Sequence, residues 1–154
     1  MGTEPETARS LLADLCSRSG QRVWSASWGV VRTEDADVLG PLSAQLERIE
    51  RRTEDLLLGG ALASNDEVLE MALAKLRAYR DGPCRCAPYA RYSRFDPSEL
   101  AQRGAVRILS TSKPDYEMTY ECRCEYCAQA FHVEQWESHL PWWKWIPVES
   151  AEPD

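Results

Sequence analysis

The sequence predicts an α+β fold, in which a helical first half packs on an antiparallel sheet formed by the second half. In most of the first half, apolar residues recur at the three- and four-residue spacing of one helical face, whereas from residue 105 onward they alternate as in half-buried strands. Runs of helices followed by runs of strands are typical of α+β proteins. The cysteines give a third observation, since five of the six fall in two short clusters in the second half. A chain of 154 residues fits one domain, expected to span 1–154.

The helical part is expected to span residues 7–82. Its first helix, at 7–17, has one apolar face. The members of that face are Leu11, Leu12, Leu15 and Cys16. The segment 22–32 departs from the helical pattern, because its alternate residues are apolar, and it predicts a strand. Trp24 and Trp28 lie on the same side of this predicted strand, so we expect them to pack in the core.

Two further helices are predicted to form an antiparallel hairpin that leads to the first cysteine pair. The earlier helix begins near Pro41, where a missing N–H costs nothing, and ends at Gly59-Gly60. The later helix opens with a capping box, in which Ser64 and Glu67 satisfy two backbone donors. Asp81-Gly82-Pro83 ends that helix and delivers the chain to the cysteines.

The second half predicts one short helix and four strands. The short helix begins at 96–99, where an aspartate precedes a proline, and Gly104 ends it. The strands are expected at 105–111, 116–124, 130–136 and 142–148. The sheet region as a whole is expected to span 84–148, and the acidic segment 149–154 is expected to be a disordered tail.

The two cysteine clusters carry most of the recognisable chemistry in this sequence. Cys124-Glu-Tyr-Cys127 has the C-x-x-C spacing with which one tight turn presents two thiolates to the same ion. A second pair, here Cys84 and Cys86, can then complete a tetrahedron around zinc. Residues 118–124 alternate, so that both cysteines of the strand fall on one side as the chain enters the turn. We therefore expect a structural Zn²⁺ held by Cys84, Cys86, Cys124 and Cys127.

With a strand, a metal-binding turn and another strand, the region 84–148 resembles a zinc ribbon. The resemblance implies a fold element and a structural zinc, and it implies no particular activity. Two features depart from the family pattern. The first pair is C-x-C where ribbons usually have C-x-x-C, and Ala128 follows the last cysteine where a glycine would more easily adopt a positive φ.

Other residues are alternative ligands or have other roles. Either Cys122 or Cys124 can act with the last cysteine of the cluster, and the C-x-x-C spacing favours Cys124. His132 or His139 can replace one thiolate, although the simplest interpretation of His132 is a solvated strand residue. Cys16, far from both clusters, is expected to be a small buried apolar residue.

Composition and charge limit the possible functions. The formal net charge of −7 argues against non-specific binding to nucleic acid or an anionic membrane, and it is compatible with a basic protein partner. No apolar run is long enough to span a bilayer. Residues 1–6 do not resemble a signal peptide, so a cytoplasmic location with reduced cysteines is expected. A redox switch stays open, because Arg85 and Arg123 would lower the pKa of neighbouring thiols and oxidation would release zinc.

An enzyme is not expected. Four cysteine ligands would fill the zinc shell, whereas a catalytic zinc keeps an open position for water. No P-loop, dinucleotide-binding fingerprint, nucleophile elbow or H-E-x-x-H motif occurs in the sequence.

A protein-binding module is the favoured function. In size, acidity and expected location, the chain resembles the small bacterial immunity proteins of polymorphic toxin systems, which implies a cognate toxin as its partner. Acidic residues outnumber basic ones in 33–58 and 134–154, so these segments can cover the basic cleft of a nuclease-like toxin. Tryptophans are frequent anchors of such interfaces. The predicted partner-binding residues are Trp136, Trp142, Trp143, Trp145, Glu134 and Glu137.

Nucleic-acid binding by the segment 85–95 is the alternative function. Arginines in this segment interleave with aromatic residues, and the two types could hold phosphates and stack bases. The aromatic residues are Tyr89, Tyr92 and Phe95. A simpler interpretation is that the arginines pair with carboxylates of the chain itself. Glu121 and Glu125, beside the other cysteine cluster, would also repel a phosphate backbone.

Overall fold

The computed structural model of the chain describes residues 7–59, 65–112, 118–137 and 140–149. The predicted α+β class is confirmed, since most helices precede a four-stranded antiparallel sheet. The chain divides into two compact units, Met1–Arg85 and Cys86–Asp154. The expectation that 1–154 forms a single domain stays a prediction.

In its described part, the first unit (the helical unit) contains five α-helices. They are α1 (Ala8–Leu15), α2 (Gly20–Arg32), α3 (Ala36–Ala44), α4 (Leu46–Thr53) and α5 (Asp66–Asp81). Their buried faces consist mainly of leucine, isoleucine and valine, with Leu39, Leu42, Ile49 and Leu76 fully inaccessible to solvent. None of the described helices is long and apolar enough to cross a bilayer.

Short polar side chains fix the first turns of the helices that open the unit. Thr7 accepts a hydrogen bond from the backbone N–H of Ser10, and the Ser10 hydroxyl closes a reciprocal capping box at the start of α1. Ser19 accepts from the backbone N–H of Arg22 at the start of α2, and Asp35 caps α3 in the same way. Each cap satisfies a backbone donor that the helix itself leaves unpaired.

The predicted strand at 22–32 is wrong, because this segment forms α2. The alternating pattern coexists with a helical one, because the buried residues of α2 follow one another at spacings of three, one, three and one residues, which is one face of a helix. They are Val23, Ala26, Ser27, Val30 and Val31. With Ser19 as its N-cap, the segment buries this face as a helix, and among the described residues of the helical unit there is no strand with which it could pair.

The change from strand to helix also moves two tryptophans away from the core in which they were predicted to pack. Trp24 is 37% exposed. Trp28 is half-buried, and the guanidinium of Arg32 lies over its ring, 4.3 Å from the centroid. Residues four apart on a helix are neighbours, so this contact is a local consequence of the helical conformation.

The predicted helix between Pro41 and Gly59 is in fact two helices. Pro41 lies inside α3, which ends at Ala44, and α4 begins at Leu46 after a break at Gln45. The antiparallel hairpin exists between α4 and α5, since Glu47 pairs with Arg80 and Glu50 with Arg77, so that the order reverses along the two helices. The predicted capping box at Ser64 lies outside the described residues.

The second unit (the sheet unit) is an antiparallel meander that follows two short helical segments. A 3-10 helix spans Ala87–Ala90, and α6 spans Pro97–Gln102, beginning where the sequence predicts a short helix. Asp96 precedes α6 and accepts a hydrogen bond from the backbone N–H of Ser98. The strands are β1 (Val106–Ser112), β2 (Thr119–Cys124), β3 (Ala130–Glu137) and β4 (Pro141–Val148), paired in that order. The predicted tail beyond Glu149 lies outside the described residues.

One face of the sheet carries an aromatic core. The ring of Tyr89 lies 4.9 Å from those of Phe95 and Trp145, and Phe131 meets Trp145 edge to face at 5.3 Å. The indole N–H of Trp145 donates to the backbone carbonyl of Phe95 at 2.8 Å. Edge-to-face contacts add to the free energy of burying such rings. This face also carries Cys122 and Cys124 on β2, so the cysteines enter the turn from a fixed strand.

Candidate metal centre

The second cysteine pair lies in the tight turn that joins β2 to β3. Cys124 ends β2, and its backbone N–H donates to the carbonyl of Gln129 while its carbonyl accepts from the N–H of Ala128. The N–H of Tyr126 donates to Cys124 Sγ at 3.3 Å. A backbone N–H directed at sulfur stabilises the thiolate that metal binding requires.

Ala128 adopts a positive φ, at a position where a glycine would do so more easily. Its φ is +69°, a left-handed conformation in which a Cβ atom is unfavourable. The two backbone hydrogen bonds that Cys124 makes with Ala128 and Gln129 hold the residue in this conformation. The requirement for this turn geometry therefore outweighs the conformational preference of alanine.

The first cysteine pair follows the end of α5. Gly82 ends that helix with φ +85°, and Cys86 then opens the 3-10 helix, where its carbonyl accepts from the N–H of Tyr89. Between the two cysteines, the guanidinium of Arg85 donates to the backbone carbonyl of Glu34 at 3.1 Å and lies 3.4 Å from its carboxylate. Cys84 and Cys86 therefore lie between the end of α5 and the start of the 3-10 helix, and Arg85, which separates them, is held by its ion pair with Glu34.

The four predicted ligands come together. The Sγ atoms of Cys84, Cys86, Cys124 and Cys127 all lie within 4.8 Å of one another, and those of Cys86 and Cys127 are 3.6 Å apart. A tetrahedral zinc with bonds of about 2.3 Å places its sulfur ligands about 3.8 Å apart. None of the six cysteines forms a disulfide, and the 3.6 Å between the Sγ atoms of Cys86 and Cys127 far exceeds an S–S bond of about 2.05 Å. The donor set and its spacing fit a metal ion.

The alternative ligands lie elsewhere. Cys122 is 1% exposed on the core face of β2, outside the cluster, and burial followed by the charge of Glu121 raises the pKa of its thiol to about 12. His132 lies on the opposite face of the sheet, with Nδ1 2.6 Å from a carboxylate oxygen of Glu121. His139 lies outside the described residues. Cys16, the C-cap residue that follows α1, is buried as predicted.

The cluster is asymmetric in its exposure to solvent. Cys86 and Cys124 are buried and Cys84 is half-buried, whereas Cys127 is exposed. An open cleft of about 580 Å³ lies beside Cys127, between the turn and the end of β4. A chelator or an oxidant would therefore meet Cys127 first.

Sequence reasoning missed Glu34 as a residue that positions this centre. Its carboxylate lies between Arg85 and Lys75 Nζ, which is 3.2 Å away. Arg85 also lies over the ring of Tyr79, 4.9 Å from the centroid. No local pattern could reveal this contact, because Glu34 and Arg85 are 51 residues apart in the chain.

The residues predicted to bind a partner divide between the two faces of the sheet. Trp143 and Trp145 are 9% and 3% exposed and lie on the core face of the sheet, and their role in partner binding stays a prediction. Trp136 is 40% exposed and stacks on Trp142, with ring centroids 5.9 Å apart. Of the two glutamates, Glu137 is exposed, and Glu134 is half-exposed beside Trp136.

The segment predicted as a nucleic-acid interface loses much of its stacking surface to the core. Tyr89 and Phe95 are each 3% exposed within the aromatic cluster. Arg85 pairs with Glu34, and Arg91 lies 5.8 Å from the ring of Tyr92. Arg85 therefore pairs with a carboxylate of the chain itself, as the simpler interpretation expects.

Comparison of the chain with protein-family models, with curated proteins and with solved structures finds no match to any of them. Neither the zinc ribbon nor the immunity-protein resemblance therefore gains support from known relatives. The geometry of the cysteine cluster carries the functional argument.

Proposed function

We propose that the chain is a non-catalytic protein-binding module whose sheet unit is stabilised by a structural Zn²⁺. The observation that carries the proposal is the convergence of Cys84, Cys86, Cys124 and Cys127 within 4.8 Å. Four thiolates complete a tetrahedral shell and leave no position for a water nucleophile, which favours a structural over a catalytic metal. In this arrangement the centre is ribbon-like, with a hairpin turn supplying one of its two cysteine pairs.

The proposed partner is a basic protein, and the specific form we propose is a toxin neutralised by this chain as an immunity protein. The net charge of −7 favours a partner of opposite charge through electrostatic steering. The stacked pair Trp136 and Trp142 offers the kind of aromatic surface that dominates many interfaces. Nucleic acid is the less favoured partner, because two of its three candidate stacking residues are buried in the core.

The metal is tested by single substitutions in protein purified from zinc-containing medium. We expect one zinc per chain by inductively coupled plasma mass spectrometry. Cys84→Ser, Cys86→Ser, Cys124→Ser and Cys127→Ser should each weaken zinc binding by more than the roughly 10–100-fold that loss of an outer-shell residue costs.

Three further variants serve as controls for the ligand set. Cys122→Ala, Cys16→Ala and His132→Ala should keep one zinc per chain, since their side chains lie outside the cluster. A Cys127→Ser protein with unchanged zinc content and affinity would contradict the assignment. So would loss of zinc in Cys122→Ala.

The partner is tested by native mass spectrometry of the tagged chain recovered from its host lysate, followed by purification of whatever protein accompanies it. The proposal expects a stoichiometric basic protein that arrests growth when produced alone and is neutralised when this chain is added. Recovery with nucleic acid, with steep loss of binding as salt rises, would instead support the alternative. A basic companion without toxicity would retain the binding module and reject the immunity function.

A further inference from the structure

The outward face of the sheet, opposite the aromatic core, carries two stacked tryptophans, of which Trp136 is exposed and Trp142 is half-buried. Trp136 on β3 lies directly across the ladder from Trp142 on β4, and the two ring planes differ by only 16°. Trp136 remains 40% exposed. Stacking on Trp142 restricts the orientation of the Trp136 ring, so a ligand would meet a surface that is already ordered.

A small cleft lies beside this pair, where β3 continues beyond its pairing with β2. The ladder between these strands ends at Thr119 and Glu134, and the cleft, of about 160 Å³, is lined by both of these residues and by Trp136. Gln135 forms another part of the lining, and its side-chain oxygen accepts hydrogen bonds from Tyr120 and Trp143. The wall is therefore fixed by contacts to the core.

The charge of the cleft comes from Glu134. One carboxylate oxygen of Glu134 accepts from the indole N–H of Trp136 at 3.3 Å, and the other lies 3.8 Å from His132 Nε2. Lys144 is the cross-strand neighbour of Glu134, so its exposed ammonium is the group with which a ligand cation would compete. An anion would be repelled by the carboxylate, and a purely apolar group would desolvate it without compensation.

We infer that this cleft binds an arginine side chain of the basic partner, an inference that rests on the proposed protein-binding function. A guanidinium can stack on the indole of Trp136 while it donates hydrogen bonds to the Glu134 carboxylate. The chain uses the same combination internally, since Arg85 lies over the Tyr79 ring and pairs with Glu34. A planar guanidinium suits this site better than an ammonium, which cannot stack and bind a carboxylate in a forked geometry.

The test is an NMR titration of the ¹⁵N-labelled, zinc-loaded full chain with the peptide Gly-Arg-Gly-Arg-Gly. The indole N–H signals report on each tryptophan separately. We expect saturable shifts at Trp136 and Trp142 and little change at the buried Trp145. The same peptide with citrulline in place of arginine, which keeps the shape and removes the charge, should bind about tenfold or more weakly.

Substitutions locate the binding within the cleft. Glu134→Gln and Trp136→Ala should each weaken the arginine peptide by about tenfold or more. Trp24→Ala is the matched control, because Trp24 is almost as exposed as Trp136 but lies on α2, and Glu70→Gln removes an exposed carboxylate from α5. Neither control should change the peptide affinity. Unshifted indole signals elsewhere would show that the variants remain folded.

Several outcomes would overturn the inference: no shift at Trp136, equal binding of the citrulline peptide, or unchanged affinity in Glu134→Gln. The proposed function is judged separately, by recovery of the basic protein on the wild-type chain. If Trp136→Ala recovers that protein as well as Trp24→Ala does, the cleft is not the arginine site, and the protein-binding function stands. If the wild-type chain recovers no basic protein, the function fails whatever the peptide does.

Discussion

Lys75 places an ammonium group in the interior of the helical unit, where 4% of the residue is exposed. Its Nζ donates to the backbone carbonyls of Val31 and Thr33 at the end of α2, and it pairs with Glu34 at 3.2 Å. Carbonyls at a helix C-terminus lack partners within the helix, so a cation there both caps α2 and complements its dipole. One side chain of α5 thus fixes the end of another helix.

Replacing Lys75 by methionine should therefore destabilise the protein strongly. Lys75→Met retains the aliphatic volume, but it removes the hydrogen bonds to the carbonyls of Val31 and Thr33 and one of the cations beside the half-buried Glu34. We expect a loss of about 3–5 kcal/mol in the free energy of unfolding, measured by urea denaturation.

Arg77→Met is the matched control on the same helix. Its partner Glu50 is a surface residue, and the Arg77 side chain is 51% exposed, so the loss should be at most about 1 kcal/mol. Equal destabilisation by the two substitutions would show that the Lys75 network contributes no more than a surface ion pair.

At the scale of elements, the turn between β2 and β3 is well hydrogen-bonded but places an alanine in a conformation that is unfavourable for it. Ala128 has φ +69°, and the hydrogen bonds around Cys124 require that conformation. A left-handed conformation costs an alanine roughly 1–2 kcal/mol. A glycine there would avoid this cost. It would also give the unfolded chain more conformational freedom, which lowers the stability of the folded state by about 0.4–1 kcal/mol.

Ala128→Gly should therefore stabilise the zinc-loaded protein by about 0.5–1 kcal/mol. The corresponding rise in Tm is about 1–4 °C, measured by differential scanning calorimetry with zinc present. Ala130→Gly provides a control of opposite sign, because Ala130 opens β3 and glycine weakens a strand. A lower Tm for Ala128→Gly would contradict the account of the turn.

At the scale of the whole molecule, the two units differ in what holds them together. The helical unit buries a contiguous set of aliphatic side chains, whereas the sheet unit has a small aromatic core beside the cysteine turn. Structural zinc supplies apparent binding free energy of about 10–16 kcal/mol in small zinc domains. The sheet unit is therefore the part we expect to depend on the metal.

Removal of zinc by a chelator should disorder the sheet unit and spare most of the helical signal. The near-ultraviolet circular dichroism of the packed rings around Trp145 should be lost, while the far-ultraviolet helical bands largely persist. Restoring zinc should restore both spectra. An unchanged near-ultraviolet spectrum after verified loss of zinc would show that the sheet unit folds without the metal.

The alternation of apolar residues and the local capping residues predicted much of the structure of the sheet unit. Residues of β2 and β3 alternate as the sequence predicts, with Tyr120, Cys122, Phe131 and Val133 buried. The cap at Asp96 also followed from residues next to one another in the chain. Such features are predictable because a strand's period and a helix cap depend on near neighbours.

The faces of β4 show where local patterns are insufficient. Tryptophans occur on both sides of this strand, so alternation groups Trp143 with Trp145 and separates them from Trp142 without indicating which group is buried. Residues 22–32 pose a similar ambiguity, since a period of two and a helical face coexist there. Which pattern prevails depends on the surfaces available for packing.

The sequence by itself determined the α+β class and the two cysteine pairs, because periodicity and ligand spacing are properties of short segments. The tertiary structure decided which four sulfurs converge and which residue pairs with Arg85, namely Glu34. It also decided that Trp136 and Trp142 face outward. These features join residues far apart in the chain. Their contacts arise only when packing has chosen one face of each element to bury, and that choice is made by the whole fold.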